Sequence, residues 1–347
     1  MKIWIICLSL FLNFNSLIWP DNMSRDRRDS ESPYGVLDFF AWSEGLNNDF
    51  YDHEKISTAI KLMKEAGVAF VRIDLLWADI EPEENRFVFT KYDYIVDELW
   101  NNGIKILAIL GYNRSRQEDR WRCAPEPEMF SRYAGATVGH YKDKIKYWEI
   151  WNEPDSEFYW QPQDGLKHYS ELLKKTYRAI KSVDPTAKVL MGGLSKDFEK
   201  NLRALYNYGC KDYFDIVNIH PFVNPLLPRA LEVLYALYHE THYVIQHHGD
   251  IHKEIWFTEI GCPGHNEPTE WWLGEGPSEV TQARWVETVY REPLKWPGVK
   301  KIFWAFFRDT PAHWGNGIDY FGLVHTDFSK KPAFEAYKKA AVAREGI

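Results

Sequence analysis

The stretch Tyr34-Gly35-Val36-Leu37-Asp38-Phe39-Phe40-Ala41-Trp42 is the first strand-like segment of this 347-residue chain, and the residues after the strand distinguish two folds. A short apolar strand followed by a helix can open either a doubly wound parallel sheet or a (β/α)8 barrel. The doubly wound sheet would carry a glycine-rich phosphate loop directly after this strand. Residues 38–42 contain no glycine. The segment therefore favours the barrel.

Seven further strand-like segments follow, one every 27 to 46 residues. They begin near residues 68, 104, 145, 188, 215, 254 and 300. Helical periodicity lies between them, most clearly at His53–Ala66, Tyr92–Asn101, Leu166–Ser182, Arg229–His247, Glu279–Tyr290 and Pro332–Val342. Strands that alternate with helices imply a parallel sheet, and eight such units fill one (β/α)8 TIM barrel. We predict this α/β fold as a single domain over residues 33–347.

The composition narrows the classes of function. Hydrophobic residues make up 45% of the chain and charged residues 27%, which excludes wholesale disorder. The 42 Lys and Arg against 50 Asp and Glu give a net charge of −8, which argues against nucleic acid as a partner because that ligand needs a basic face. Aromatic residues reach 16%, and their flat rings suit hydroxylated ligands such as sugars.

The first residues resemble an export signal. Ile3–Leu12 is an apolar run that follows Lys2 and is too short to span a bilayer as a helix. We expect a signal peptide over residues 1–20, cut between residues 16 and 24, and a polar linker over residues 21–32. The protein would then be secreted or periplasmic. The alternative is an uncleaved N-terminal anchor, the one case in which a membrane is an expected partner.

In a barrel of this kind, chemistry is placed at the C-terminal ends of the strands. The polar and aromatic residues predicted there are Asp38, Arg72, Asp74, Trp77, Tyr112, Asn113, Asn152, Glu153, His220, Glu259, Trp304 and Asp309. Glu153 and Glu259 close opposed strands and form a pair fit for cleaving a glycosidic bond. One carboxylic acid protonates the leaving oxygen, and the other attacks, or directs attack at, the anomeric carbon.

Two motifs make the chain similar to a known clan of enzymes. They are Tyr147-Trp148-Glu149-Ile150-Trp151-Asn152-Glu153-Pro154 on the fourth strand and Thr258-Glu259-Ile260-Gly261 on the seventh. Together they resemble glycoside hydrolase clan A, in particular the retaining glycosidases of families 39 and 5. Supporting segments are Val71-Arg72, Trp77–Pro82, Asp215–Pro221 and Phe321–Val324.

The resemblance implies a retaining hydrolase of β-glycosidic bonds in oligo- or polysaccharides, and it assigns residue roles. Glu153 would be the general acid/base and Glu259 the nucleophile. The residues expected to bind or line the substrate are Asn152, Arg72, His220, Trp304, Trp77, Asn113 and Tyr112. Arg72 would keep Glu259 ionised, and Trp304 would floor the sugar pocket. A carbohydrate is the expected partner, and neither a cofactor nor a metal ion is expected.

Some positions depart from the pattern or compete with it. Phe222 stands where family 5 enzymes often have a tyrosine that donates to the nucleophile, so either another hydroxyl, such as that of Tyr112 or Tyr320, takes that role or Glu259 goes without it. Glu149 is expected to point into the barrel one layer below Glu153, as a buried partner of Arg72. Loop tryptophans could serve as sugar platforms, namely Trp160, Trp271, Trp272 and Trp314.

Two other functions stay open at this point. A non-catalytic carbohydrate-binding barrel would keep the tryptophans but usually lose one glutamate, and both glutamates are present. A transglycosylase would share every residue named. The identity of the sugar is open among xylosides, glucosides, galactosides, mannosides and arabinosides.

Overall fold

A computed structural model describes residues 32–42, 51–115, 117, 119–266, 276–310 and 317–342. The expected export signal lies outside the described residues, and so do Trp271, Trp272 and Trp314. Among the helices that are described, none is both long enough and apolar enough to cross a bilayer.

Eight parallel strands close into a barrel, as predicted. Each strand pairs with its neighbours in chain order, and the first strand also pairs with the eighth. The strands are β1 (Tyr34–Leu37), β2 (Phe70–Leu76), β3 (Lys105–Gly111), β4 (Tyr147–Ile150), β5 (Lys188–Met191), β6 (Ile216–Ile219), β7 (Glu254–Ile260) and β8 (Val299–Ala305).

Helices surround this barrel on the outside. They are α1 (His53–Ala66), α2 (Trp77–Ile80), α3 (Thr90–Asn101), α4 (Pro127–Tyr141), α5 (Lys167–Val183), α6 (Phe198–Asn207), α7 (Ala230–His247), α8 (Glu279–Arg291) and α9 (Pro332–Val342). The six predicted helices are confirmed to within two residues at each end. Helices α4 and α6 were not predicted, since α4 carries two glycines and α6 has only ten residues.

Helix α1 illustrates how local sequence sets these boundaries. The Asp52 side chain accepts a hydrogen bond from the Lys55 amide and caps the start of the helix. Gly67 ends it at φ 77°, where its N–H donates to the Lys64 carbonyl. The apolar face is buried at residues 56, 59, 60 and 63, which is helical spacing.

The inside of the barrel changes character along its axis. Near the N-terminal ends of the strands it is filled by an apolar cluster, which we call the barrel plug, made of Phe70, Leu107, Leu190, Ile216, Trp256 and Phe303. Side chains alternate between the two faces of a strand, so the next inward positions lie two residues further on. Four of these are polar and fully buried: Arg72, Glu149, Asn218 and Thr258. A polar layer therefore rests on an apolar one.

Candidate active site

The two predicted glutamates lie together at the C-terminal end of the barrel. Glu259 is on β7, and Glu153 is three residues beyond the end of β4. Their side chains are 13% and 14% exposed, for Glu153 and Glu259 respectively, so both reach solvent from a largely enclosed position. One oxygen from each carboxylate and a ring nitrogen of His220 all lie within 4.8 Å of one another.

The backbone that carries Glu153 turns sharply. Trp151 and Glu153 have φ angles of 68° and 43°, a region that non-glycine residues rarely adopt. The turn is held by the Trp151 amide, which donates to the Leu110 carbonyl at 2.9 Å, and by the Trp151 indole, which donates to the Tyr159 carbonyl at 3.0 Å. Such strain concentrates at functional sites, because the surrounding structure must hold it in place.

Arg72 is the central cation of the site. Its Nε and Nη2 atoms donate to the two oxygens of Glu149 at 2.7 and 2.9 Å, and its Nη1 donates to Glu259 Oε1 at 2.6 Å. A further bond from Nη2 reaches Asn152 Oδ1 at 2.8 Å. Burial by itself would lower the pKa of Arg72, but the charges of Glu149 and Glu259 outweigh it and raise that pKa. The prediction that Glu149 is the buried partner of Arg72 is confirmed.

His220 connects the two glutamates. Its Nδ1 lies 2.8 Å from Glu153 Oε1 and 3.8 Å from Glu259 Oε1. The imidazole is fully buried, and this burial lowers its pKa, against an upward pull from Glu259. The ring is therefore neutral at neutral pH.

Gly193, just beyond β5, makes room for this imidazole, and sequence analysis missed it. A Cβ atom at Gly193 would lie 2.1 Å from His220 Nε2, where no side chain fits. The Gly193 amide also donates to Glu149 Oε1 at 3.1 Å. The pair Gly192-Gly193 at a strand end was the available signal, because glycine at such a place often allows close approach.

The two glutamates differ in their surroundings. Burial raises the pKa of Glu153 to about 7; Arg72 opposes this shift and Glu149 reinforces it. Burial also raises the pKa of Glu259, although His220 and Arg72 pull it down. Arg72 was expected to keep Glu259 ionised, and its effect has that sign, but burial outweighs it. The guanidinium hydrogen bond goes to Glu259, so Arg72 favours negative charge on Glu259 more directly than on Glu153.

Two other predicted residues are near these charges. Asn152 is buried against Arg72, as its hydrogen bond shows. Tyr112 is also buried; burial raises the pKa of its hydroxyl, and the charges of Asp74 and Glu259 raise it further. Of the two tyrosines considered in place of Phe222, Tyr112 is thus the one within electrostatic reach of Glu259. Tyr320 is 38% exposed and stacks on His265.

Trp304 does not floor the pocket, which corrects the sequence expectation. Its neighbour Phe303 belongs to the barrel plug, so strand alternation turns Trp304 away from the barrel interior. Trp304 is fully buried, and its indole N–H donates to the Phe321 carbonyl at 2.8 Å. It packs between the sheet and the outer layer.

Four further residues that were expected at the site fall in the supporting structure. Trp77 packs against Phe130 and Tyr133 of α4, and its indole donates to Glu81 at 2.7 Å. The Asn113 amide donates to the Cys123 carbonyl and accepts from the Ser115 amide, so it holds its own loop. Trp160 is 1% exposed and packs on Trp151, which leaves no face for a sugar. Asp309 is a buried ion-pair partner of Lys331.

A group of aromatic rings beside the site was not predicted. Tyr159 stacks near Tyr112 at 6.1 Å between ring centroids, and Trp121 meets both rings edge-on at 6.0 and 5.3 Å. Burial raises the pKa of Tyr159, and the charges of Glu153 and Glu259 raise it further, so this ring is near both glutamates. Tyr159 and Trp121 do not lie at strand ends, and for this reason the position in the sequence did not identify them as site residues.

The three groups Glu153, His220 and Glu259 could in principle meet a metal ion. The same atoms, however, already serve other partners: Arg72 holds Glu259 Oε1 at 2.6 Å, and Glu153 Oε1 is bonded to His220. A dication would also be repelled by the guanidinium. This donor set fits acid–base chemistry better than metal binding.

The described cysteines, Cys123, Cys210 and Cys262, are free thiols.

Comparison with known proteins supports the sequence resemblance. A family model for glycosyl hydrolase family 42, described as beta-galactosidase, matches residues 46–113. The chain resembles the clan A glycosidases. Curated relatives include a 6-phospho-beta-glucosidase of Clostridium longisporum, 32% identical over 118 residues, which are 31% of this chain and 24% of that protein. The beta-galactosidase BbgII of Bifidobacterium bifidum is 26% identical over 193 residues, 47% of this chain and 28% of that protein.

Solved structures share the barrel fold. A family 39 glycoside hydrolase from Bacteroides cellulosilyticus WH2 matches 89% of this chain and 63% of its own with a TM-score of 0.71 at 21% identity. A monomeric beta-xylosidase from Caulobacter crescentus CB15 matches 90% of this chain and 69% of its own with a TM-score of 0.68 at 19% identity. These likenesses confirm the barrel. The chain aligns with only about a quarter of the length of the first curated relatives.

Proposed function

We propose that this barrel hydrolyses β-glycosidic bonds with retention of configuration, using Glu153 as acid/base and Glu259 as nucleophile. The observation that carries the proposal is the unequal pair of carboxylates. Their oxygens lie within 4.8 Å, and the guanidinium of Arg72 binds one while the neutral imidazole of His220 binds the other. Retaining glycosidases need such closely spaced carboxyl groups, about 5–5.5 Å apart, whereas inverting enzymes leave room for a water between them.

Each residue has a task in this reaction. Glu153 gives its proton to the glycosidic oxygen while Glu259 attacks the anomeric carbon, so the bond to the leaving group breaks as the bond to Glu259 forms. Glu153, now a carboxylate, then takes a proton from a water molecule that attacks the same carbon and releases Glu259. The Asn152 amide nitrogen is available to a sugar hydroxyl, since its Oδ1 is already bonded to Arg72.

The relatives suggest the kind of substrate. Their printed names include beta-glucosidases, beta-galactosidases and a beta-xylosidase, so we propose a β-linked hexoside or pentoside. Tyr159 near the glutamates, and Trp121 packed edge-on against it, are candidates for contact with a sugar or an aryl group. The export signal expected at the N-terminus would place the reaction outside the cytoplasm.

A substrate panel tests the proposed function. We expect wild type to cleave at least one aryl β-glycoside with retention of configuration. NMR of the first-formed anomer of the product measures this. Glu153→Gln should lower kcat/KM about 10²- to 10⁴-fold on substrates with poor leaving groups, because their cleavage needs the general acid. The decrease on dinitrophenyl glycosides should be much smaller. An inverted product would exclude the double displacement. Binding of sugars without any turnover would favour the carbohydrate-binding barrel, and transfer to added acceptors without hydrolysis would favour the transglycosylase.

Gly193→Ala should lower the turnover found with that panel by about 10²-fold, since displacing a positioned group by about 1 Å has that effect. The added methyl carbon would overlap His220 Nε2. Gly135→Ala is the control, because its methyl group would lie 3.9 Å from Val183, an ordinary contact. Equal turnover in the two variants would show that the position of His220 does not matter to catalysis.

A further inference from the structure

Behind His220 lies a row of hydrogen bonds that the reaction itself does not use. His220 Nε2 is 2.9 Å from Thr258 Oγ1, which lies 2.7 Å from Asn218 Oδ1. Asn218 Nδ2 then faces the Met191 carbonyl at 3.4 Å. His220, Thr258 and Asn218 are all fully buried. We call these four groups the His220 chain.

The direction of every bond in the His220 chain follows from its last member. A backbone carbonyl can only accept, so the Asn218 amide must turn its nitrogen toward Met191 and its oxygen toward Thr258. That oxygen cannot donate, so the Thr258 hydroxyl gives its proton to Asn218. The Thr258 oxygen is then an acceptor for His220 Nε2–H. A neutral ring protonated at Nε2 has a bare lone pair at Nδ1.

From this direction we infer that Asn218 and Thr258 are positioning residues that fix His220 as the Nε2–H tautomer, so that its Nδ1 accepts a hydrogen bond from protonated Glu153. The 2.8 Å contact between Nδ1 and Glu153 Oε1 requires one proton between the two atoms. The one proton of the neutral ring is on Nε2, where it donates to Thr258 Oγ1. The proton between Nδ1 and Oε1 therefore belongs to the carboxyl group of Glu153. The His220 chain thus keeps Glu153, the proposed general acid, protonated. This inference rests on the proposed function for its catalytic meaning.

The opposite arrangement meets opposition at both ends. If His220 carried its proton at Nδ1 and Glu153 were ionised, Thr258 would have to donate to Nε2. The oxygens of Thr258 and Asn218 would then face each other at 2.7 Å without a proton. A doubly protonated ring is disfavoured by burial, which lowers the pKa of His220.

Other charges also act on this proton, and the experiment must leave them unchanged. Among the residues that the structure describes, the titratable and charged groups that face Glu153 and His220 are Arg72, Glu149, Asp155, Tyr159, Lys196 and Glu259. None of them belongs to the His220 chain. A change confined to Thr258 therefore isolates the effect of the tautomer.

Thr258→Val tests the inference because it keeps the shape of the side chain and removes the hydroxyl. His220 Nε2 then has no acceptor at this position, so the ring can carry its proton at Nδ1 and donate to ionised Glu153. Burial raises the pKa of Glu153 to about 7, so we expect the basic limb of the wild-type kcat/KM profile there, and we expect Thr258→Val to move it down by about one pH unit. At pH 7 the loss of kcat/KM on poor leaving groups should be about fivefold, approaching tenfold above pH 8, and the loss on dinitrophenyl glycosides should be negligible. Thr258→Ser should restore the wild-type profile.

A measurement that needs neither turnover nor a variant accompanies it. Nitrogen-15 NMR of the histidine rings in wild type should show His220 with an unprotonated Nδ1 and a protonated Nε2 at pH 6. A proton on Nδ1, or an unchanged pH profile in folded Thr258→Val, would overturn the inference. A failure of wild type to cleave any glycoside would instead refute the proposed function, and the NMR result would still decide the tautomer.

Discussion

Glu259→Ala is expected to lose turnover by a factor on the order of 10⁶, the scale seen when a covalent nucleophile is removed. Sodium azide should restore cleavage of an aryl β-glycoside, because the small anion occupies the space left by the carboxylate and attacks the anomeric carbon directly. The product should be the glycosyl azide of inverted configuration. Kinetics with and without azide, and NMR of the azide product, provide the measurement.

The anomer of that product also checks which glutamate has which role. In a variant lacking Glu153, azide would instead attack the glycosyl-enzyme and give the retained anomer. Glu254→Ala is the matched control: Glu254 begins the same strand as Glu259 and bonds Trp256 at the other end of the barrel. Its activity should be unchanged. Normal turnover by Glu259→Ala, or a retained azide from it, would refute the assignment.

Arg72→Leu should lower the free energy of unfolding by about 3–5 kcal/mol, because it leaves Glu149 buried without its cation. Both side chains are fully buried and share two hydrogen bonds. Denaturant titration measures the change. The double variant Arg72→Leu with Glu149→Leu should be less destabilised than Arg72→Leu alone, since no buried charge remains from that pair.

Arg203→Leu serves as the comparison for this prediction. Arg203 pairs with Glu199 one helical turn away on the surface of α6, and such exposed pairs contribute little. Its denaturation midpoint should stay near that of wild type. A double variant of Arg72 and Glu149 that is as unstable as the sum of both single variants would show that the pair does not act as a unit.

The barrel could be predicted from the sequence because each of its units carries a local signal. The apolar runs and the helical periodicity depend only on neighbouring residues, and a missing glycine loop after the first strand distinguished the two parallel folds. The glutamates were found for a similar reason: each lies at or just beyond the end of a strand, and a barrel gathers strand ends on one face.

The errors in the site concern the direction in which side chains point, which the spacing of residues along the chain does not determine. The resemblance placed Trp304 at the floor of the sugar pocket, yet the direction of its side chain depends on whether Phe303 or Trp304 enters the barrel. The path of the chain after the strands brings Tyr159 near the glutamates and Trp121 against Tyr159, and no periodic pattern encodes that path. The spatial need for Gly193 appears only when His220, on a different strand, is in place.

The barrel plug determines from which side substrate and water can reach the glutamates. Large apolar side chains close the end of the barrel opposite the glutamates, so water has no route through the axis. In the proposed reaction, substrate, leaving group and attacking water therefore all approach the glutamates from the C-terminal side of the barrel. A leaving group that stays there keeps water from the anomeric carbon, and a second sugar bound there competes with water as the acceptor. The rate at which the leaving group departs then biases the outcome between hydrolysis and sugar transfer.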